Sequence, residues 1–343
     1  MKSEFITGSV KINDLIFPRI STKLILKDYL GTFMVRWGIN RNNYRVNPGL
    51  YAVGTPDSSS DVFVTANYKL SFDTLRKNLD GINGWVLILD TKGVNVWCAA
   101  GKGVFGTDEI IRKIHEVSLE KIISHKKIIV PQLGATGIAA HKVKEATGFN
   151  VHYGPVRAGD IKKFITDGYR ATSEMRRVTF NFYDRVKLIP NDFIYGRYYL
   201  LGAIAVILLI STLSTKGISF VNMQESWFKL VINIFVAYFS GIVVTPMLLP
   251  WIPGRRFSLK GFFTGIFFAI LLNLSGLLGD NLLVKTAWFI IVPVISSFLA
   301  MNFTGSSTYT SLSGVKKEMK TALPLQITFS AIGIILLIIT RFI

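Results

Sequence analysis

The chain has 343 residues, half of them hydrophobic, with 39 Lys and Arg against 21 Asp and Glu, a formal net charge of +18 and a single cysteine. One cysteine excludes a disulfide scaffold and any iron–sulfur or zinc site built wholly from cysteines of this chain. So apolar a composition excludes intrinsic disorder and an ordinary cytosolic enzyme, and the positive balance implies a negatively charged partner, either nucleic acid or lipid.

Residues 1–45 read as a basic N-terminal arm, in which Met1–Asp14 is polar and lacks the apolar stretch of a signal peptide. Residues 46–61 (VNPGLYAVGTPDSSSD) are rich in turn formers and read as a loop or linker. An α/β pattern then begins. Val62–Ala66, Trp85–Asp90, Ile128–Gln132 and Phe149–Tyr153 are short, continuous apolar runs of the kind that form buried strands. Helical patterns lie at Asp73–Leu79, Thr107–Ile123, Ile138–Thr147 and Asp160–Gly168, and Thr107-Asp108-Glu109 offers an N-cap hydroxyl followed by acids. The alternation predicts an α/β Rossmann-like domain over 46–180, with a mostly parallel sheet covered on both faces.

A linker is expected at 181–197, followed over 198–343 by an all-α transmembrane domain. Five apolar stretches without a charged residue run at about Tyr198–Thr215, Leu230–Pro253, Gly261–Gly279, Thr286–Thr304 and Thr321–Thr340. As helices each is about 27–36 Å long, enough to cross a bilayer. Arg176, Arg177, Arg185, Lys187 and Arg197 precede the first stretch, Arg255, Arg256 and Lys260 follow the second, and Lys316, Lys317 and Lys320 follow the fourth; the opposite loops hold only Lys216, Lys229 and Lys285, with Arg341 at the C-terminus. This bias places the N-terminal half in the cytoplasm and the C-terminus outside a cytoplasmic membrane. Much of the basic excess is then topogenic, the partner is the lipid bilayer, and a nucleic-acid reading loses its support. The stretches contain no ionisable side chain for a proton or metal path; Pro246, Pro250, Pro293 and Pro324 suggest kinks, and Gly261 with Gly265 suggests close packing.

The segment Asn95-Val96-Trp97-Cys98-Ala99-Ala100-Gly101-Lys102 follows a strand after a short turn and is expected at the carboxyl edge of the sheet, where ligands bind in open α/β folds. Cys98 has small neighbours that let a large flat ligand approach the backbone, and Lys102 with helical N–H groups favours its thiolate. The opposing reading, a small buried hydrophobe, stands beside this one, as a core-anchor reading stands beside a ligand-contact reading for Trp97. Gly101-Lys102-Gly103-Val104-Phe105-Gly106 fits GxGxxG, but it begins about ten residues beyond its strand and no acid follows the next strand to hold a ribose. His115, His125, His141 and His152 are scattered, without HExxH or Asp-x-His-x-x-Gly spacing, so a metal site made of protein ligands alone is not expected.

The run NVWCAAGKGVFGTDEI resembles the cap-helix signature of the mercury-methylating corrinoid proteins. The resemblance continues through VFVTANYKLSFD (62–73), PQLGATGIAAHKV (131–143), YGPVRAGDI (153–161), MRRVTF (175–180) and the five apolar stretches. The soluble half also resembles the corrinoid domain of the corrinoid iron–sulfur protein of anaerobic acetyl-CoA synthesis, without that protein's cluster-binding cysteines.

The resemblance implies a corrinoid cofactor, cobalamin-type with cobalt, and no iron–sulfur cluster in this chain. It implies Cys98 as the catalytic residue and lower axial cobalt ligand, with corrin contacts from Asn95, Val96, Trp97, Ala99, Ala100, Gly101 and Lys102. Thr65, Gly134, Gly137 and Gly154, at predicted strand ends, are candidates for the nucleotide-tail pocket, with ordinary turn glycines and a strand threonine as the opposing reading. The implied activity is transfer of a cobalt-bound methyl group, as a carbanion equivalent, to Hg(II). A dicluster 4Fe–4S ferredoxin is the implied reductant and a candidate Hg(II) donor, and a methylated pterin system the implied methyl source. The alternative is a membrane-tethered corrinoid methyl carrier of one-carbon metabolism, of the acetyl-CoA pathway type, with another physiological acceptor.

Overall fold

The computed structural model describes residues 4–215, 217–303 and 312–343. Lys216, used in reading the topology, and Thr304, the expected end of the fourth span, lie outside the described residues. The chain divides into two compact units, Met1–Val35 with Ile39–Val178, and Arg36–Gly38 with Thr179–Ile343.

The first unit contains, in order, β1 (Ile6–Ile12), β2 (Leu15–Ile20), α1 (Leu26–Arg36), β3 (Gly49–Val53), β4 (Val62–Ala66), α2 (Lys69–Asn78), β5 (Gly84–Leu89), α3 (Val96–Gly101), α4 (Thr107–Glu116), β6 (Lys127–Val130), α5 (Ala140–Thr147), β7 (Asn150–Tyr153) and α6 (Ile161–Thr166). They form one seven-stranded sheet of order β1-β2-β3-β5-β4-β6-β7. The four strands expected from apolar runs make the parallel block β5-β4-β6-β7, with Val62 opposite Trp85 and Lys127 opposite Asn150. Both of its faces are covered. Val64, Leu87 and Val130 pack with Ala99, Ile110, Ile114 and Val143 of α3–α5, whereas Phe63, Val86 and Ile88 pack with Phe72 and Leu75 of α2 and Phe164 of α6.

The sheet is mostly parallel, as expected, and mixed, because β3 runs antiparallel to β5 and β1 antiparallel to β2. Two expectations need correction. The supposed linker contains β3, whose five residues GLYAV lie between Pro48 and Gly54 and are too few for their pattern to outweigh the surrounding turn formers. The supposed basic arm supplies β1, β2 and α1; β1 alternates Thr7, Ser9 and Lys11 with apolar residues, which dilutes its apolar signal. A smaller difference concerns α4, where Gly106 occupies the N-cap position and the Thr107 hydroxyl instead accepts a hydrogen bond from Ala139 N at 2.9 Å.

A buried charge cluster fastens α1 to α2. Arg76, fully buried, donates to Asp28 Oδ2 (2.6 Å), to Asp73 Oδ1 (2.7 Å) and to the carbonyls of Ser21 and Lys23, while Lys69 bridges Asp28 and Asp73. Two cations and two carboxylates balance, and backbone groups take up the remaining donors, which is what a buried ionic cluster requires. Burial acts to raise the Asp28 pKa, but the Lys69 ammonium, the Ile25 N–H and the Arg76 guanidinium outweigh it and hold the carboxyl below its usual value.

The second unit is helical: α7 (Phe182–Val186), α8 (Ile189–Ser211), the paired two-residue strands β8 (Leu213–Ser214) and β9 (Gly217–Ile218), α9 (Phe220–Phe239), a π turn at Ser240–Val244, α10 (Thr245–Met247), α11 (Phe257–Leu274), α12 (Leu282–Asn302) and α13 (Leu312–Ile339). Among the described residues five helical segments are long and apolar enough to cross a membrane: Phe182–Ser211, Ser226–Met247, Phe257–Leu274, Leu282–Asn302 and Gly314–Ile339. The helices outrun the apolar stretches at their charged ends. Residues 181–197, expected as a linker, hold α7 and the first turns of α8, and α13 begins before Lys316. Hydropathy marks the part suited to hydrocarbon, whereas backbone hydrogen bonding continues through charged residues. Gly261 and Gly265 let α11 touch α12, since a Cβ on Gly261 would lie 2.5 Å from Ser296 O and one on Gly265 2.4 Å from Pro293 Cα.

Asp28→Ala is expected to destabilise the first unit by about 3–5 kcal/mol, because it leaves Arg76 and Lys69 short of counter-charge. The folded Asp28 pKa lies below its unfolded value, so its contribution is complete above the ordinary value of 3.8 and is lost as the pH falls through the folded value. Thermal melts of the full chain should therefore lose stability on acidification, and Asp28→Asn should show a shallower loss.

Candidate functional site

Topology fixes where the parallel block is open to a ligand. From β4 the chain passes to β5 on one side, then crosses back to β6 on the other, so the winding reverses between β4 and β6. Outside the carboxyl ends of strands at such a reversal lies the crevice where α/β sheets bind ligands. The segments leaving those ends are Asn67–Tyr68, Asp90–Asn95, Pro131–Ala139 and Gly154.

Asn67 ties the first two together. Its backbone N–H donates to Leu89 O, and its side-chain Oδ1 accepts from Thr91 N (3.1 Å) and Gly93 N (2.9 Å) and lies 2.9 Å from Thr91 Oγ1. The Thr91 hydroxyl also lies 2.7 Å from Val94 O, so its one proton serves either acceptor. Asn67 Nδ2 donates to Asp90 Oδ1, and Glu109 of α4 accepts from Asp90 N. Lys92 and Gly93 have φ of 56° and 77°, which turns the chain sharply into α3.

α3 is one and a half turns long. Asn95 caps it, with Oδ1 accepting from Cys98 N at 2.9 Å. Val96, Ala99 and Ala100 share the buried face, and Trp97, Cys98, Gly101 and Lys102 are exposed. The reading of Cys98 as a buried hydrophobe therefore falls: its thiol is exposed. Trp97 is 39% exposed and is no core anchor. Beside the thiol the surface is bare, because a Cβ on Gly101 or Gly103 would meet open space. The GxGxxG run joins the end of α3 to α4, away from any strand end.

The four candidates for the nucleotide tail are placed differently from one another. A Cβ on Gly134 would lie 2.4 Å from the Phe105 ring, and one on Gly137 2.3 Å from Phe105 O and 3.1 Å from Ala100 Cα. Their empty sides are thus filled by protein, and these two glycines seat α3 and the fully buried Phe105 on the loop after β6. Gly154 is buried at the end of β7, with its N–H donating to Val130 O. Thr65 is buried within β4, paired in register with Ile88, and alternation puts it on the Phe63 face of the sheet, opposite the α3 face.

Three contributors escaped the sequence reading: Asn67, Phe105 and Gln132. An asparagine directly after an apolar strand was a usable signal for the first. Gln132 lies in the turn on which α3 packs, and its Oε1 is buried without a hydrogen-bond partner.

The arrangement offers one soft donor, the Cys98 sulfur, on a rigid mount with a smooth surround. Among the described residues no group of three or more His, Cys, Asp or Glu side chains is placed to hold a metal ion. A single sulfur donor of this kind suits a metal whose other positions come from a flat macrocycle, and the buried acceptor at Gln132 suits a ligand bearing amide N–H groups.

Cys98 is expected to react with a maleimide in the folded full-length protein without denaturant. Asn67→Ala, which orphans Thr91 N and Gly93 N, should cost about 1–3 kcal/mol for each donor left unpaired and should alter the rate of Cys98 modification. Thermal melts and labelling kinetics check both.

Residues 35–165 match the family described as CO dehydrogenase/acetyl-CoA synthase delta subunit. The chain is 31% identical over 162 residues to the acetyl-CoA decarbonylase/synthase complex subunit gamma of Archaeoglobus fulgidus, covering 46% of this chain and 33% of that protein. It is 30% identical over 122 residues to the corrinoid/iron-sulfur protein large subunit of Moorella thermoacetica, covering 35% and 27%. The chain thus spans about a third or less of the length of these relatives. The family match takes in β3 to β7 and Cys98, and through it this part of the first unit is similar to corrinoid-protein subunits of the acetyl-CoA decarbonylase/synthase type.

Proposed function

We propose that this protein is a membrane-anchored corrinoid-dependent methyl-transfer protein in which Cys98 of α3 would hold the cofactor's cobalt. The observation that carries the reading is the exposed thiol on a capped helix at the carboxyl edge of a parallel sheet, with open backbone at Gly101 and Gly103 beside it. When bound, a corrinoid would supply a cobalt able to carry a methyl group, and Cys98 would hold that metal through a sulfur donor that favours methyl release as a carbanion equivalent.

The chain's own residues provide the mount. Asn95 holds the first turn of α3, so that the sulfur keeps one direction. Asn67 fixes the turn from which α3 starts, and Gly134 and Gly137 bring Phe105 and Ala100 onto the loop after β6. Trp97, Ala99, Ala100, Gly101 and Lys102 would border a bound corrinoid, and Gln132 Oε1, buried without a partner, would be an acceptor for one of its amide N–H groups. The positive-inside bias puts this unit on the cytoplasmic side, with the five apolar helices as its anchor. A separate ferredoxin would be the reductant and a methylated pterin system the methyl source.

Two acceptors are in view. The relatives named as acetyl-CoA decarbonylase/synthase subunits support an acceptor of one-carbon metabolism. The thiol itself supports a soft, thiophilic cation, Hg(II), since carbanion transfer to such an acceptor gains most from an electron-rich lower ligand. Full-length protein from a corrinoid-producing anaerobic host is expected to carry cobalt and a corrinoid visible spectrum, and Cys98→Ala to change that spectrum and abolish methyl transfer. A labelled methyl group chased with Hg(II) in one reaction, and with an acetyl-CoA synthase in another, identifies the acceptor. Cobalt-free, colourless protein overturns the proposal, and full transfer by Cys98→Ala overturns the role of the thiolate.

A further inference from the structure

α1 is turned inside out. Its buried residues are Asp28, in the charge cluster with Lys69 and Arg76, and Val35; Gly31 lies against the Tyr44 ring, where a Cβ would come within 2.4 Å of the Tyr44 hydroxyl. The opposite side carries Leu26, Tyr29, Leu30, Phe33 and Met34, all between 43% and 74% exposed. Their spacing of i, i+3, i+4, i+7 and i+8 is that of one continuous helical stripe, which in a water-facing helix would be buried. Five basic residues, Lys23, Lys27, Arg36, Arg41 and Arg45, flank the stripe within 21–45, against Asp28 as the one acid there, itself in the buried cluster.

The end of α1 is tethered. Arg36–Gly38 belong to the helical unit, where Arg36 Nη1 donates to Lys187 O at 3.2 Å, two residues before α8 begins. Trp37 lines an apolar cavity there with Val186, Ile189, Phe193 and Met247.

We infer that α1 is an interfacial helix whose Leu26–Met34 stripe inserts between the headgroups of an anionic bilayer. An apolar stripe rimmed by Lys and Arg has the composition of a helix lying in the headgroup–acyl boundary, and its basic rim complements anionic headgroups. The charge cluster then gains a second purpose: it holds the polar side of α1 to α2 so firmly that the apolar side must face outward. The inference rests on the reading that the five apolar helices span a membrane.

The test uses the full-length chain in a Cys98→Ser background, reconstituted in vesicles of phosphatidylethanolamine and phosphatidylglycerol, with a nitroxide at Leu30→Cys and, separately, at Leu26→Cys. Collision of the label with oxygen and with a water-soluble nickel chelate reports its depth. The expected result at both positions is a depth of about 5–10 Å below the headgroups, with high oxygen and low nickel contact. High nickel contact, as for a control label at Ser9→Cys, means that the stripe faces water and overturns the inference. Low contact with both means that protein covers it, and overturns it equally. A label at Val206→Cys, exposed within α8, should read deep in the hydrocarbon; if it does not, the spanning reading fails, and that failure is distinct from a shallow reading at Leu30.

Discussion

Everything proposed for the thiol depends on how one carboxamide closes the gap between two parallel strands. Asn67 stands where β4 ends, and its Oδ1 gathers the donors of the turn leaving β5. Because Asn67 and Thr91 are almost wholly buried, water cannot substitute for the bonds between them, and the turn is held to one path. That path sets the direction of α3, and α3 sets the direction of the sulfur. A loop free to sample several conformations would make any bond at Cys98 pay an ordering cost on each encounter.

The same economy appears in the glycines. Gly101 and Gly103 are open, whereas Gly134 and Gly137 are closed by Phe105 and Ala100. Seen together they make two surfaces of one element. The outer is stripped of side chains where a broad ligand approaches, and the inner is stripped so that backbone meets backbone. A short helix has little stability of its own, and burial of Val96, Ala99 and Ala100 against the sheet and the β6 loop is what keeps it formed.

The parallel block was legible because strands covered on both faces are apolar without interruption, as in VFVTA and WVLIL. The five long helices were legible for a similar reason. β3 escaped because its five residues are bracketed by Pro48 and Gly54, and β1 because alternating residues such as Ser9 and Lys11 give it a polar face. At the site, the cysteine and its small neighbours stood out as a pattern. The direction of the thiol did not, since the turn that aims α3 is set by bonds between residues far apart in sequence, such as Asn67 with Thr91. The roles of Gly134 and Gly137 were hidden likewise, because the side of a glycine that must stay empty is decided by a distant neighbour.

The N-terminal hairpin has a further consequence. β3 is buried and apolar, and it pairs with β5 on one side and β2 on the other. Without β1 and β2, Leu50–Val53 would form a bare apolar edge with unpaired N–H and C=O groups, a template for strands of other chains. The basic segment at the start of the chain thus ends the sheet with β1, whose Thr7, Ser9 and Lys11 are poor partners for such pairing, and in doing so guards the protein against joining its own copies edge to edge.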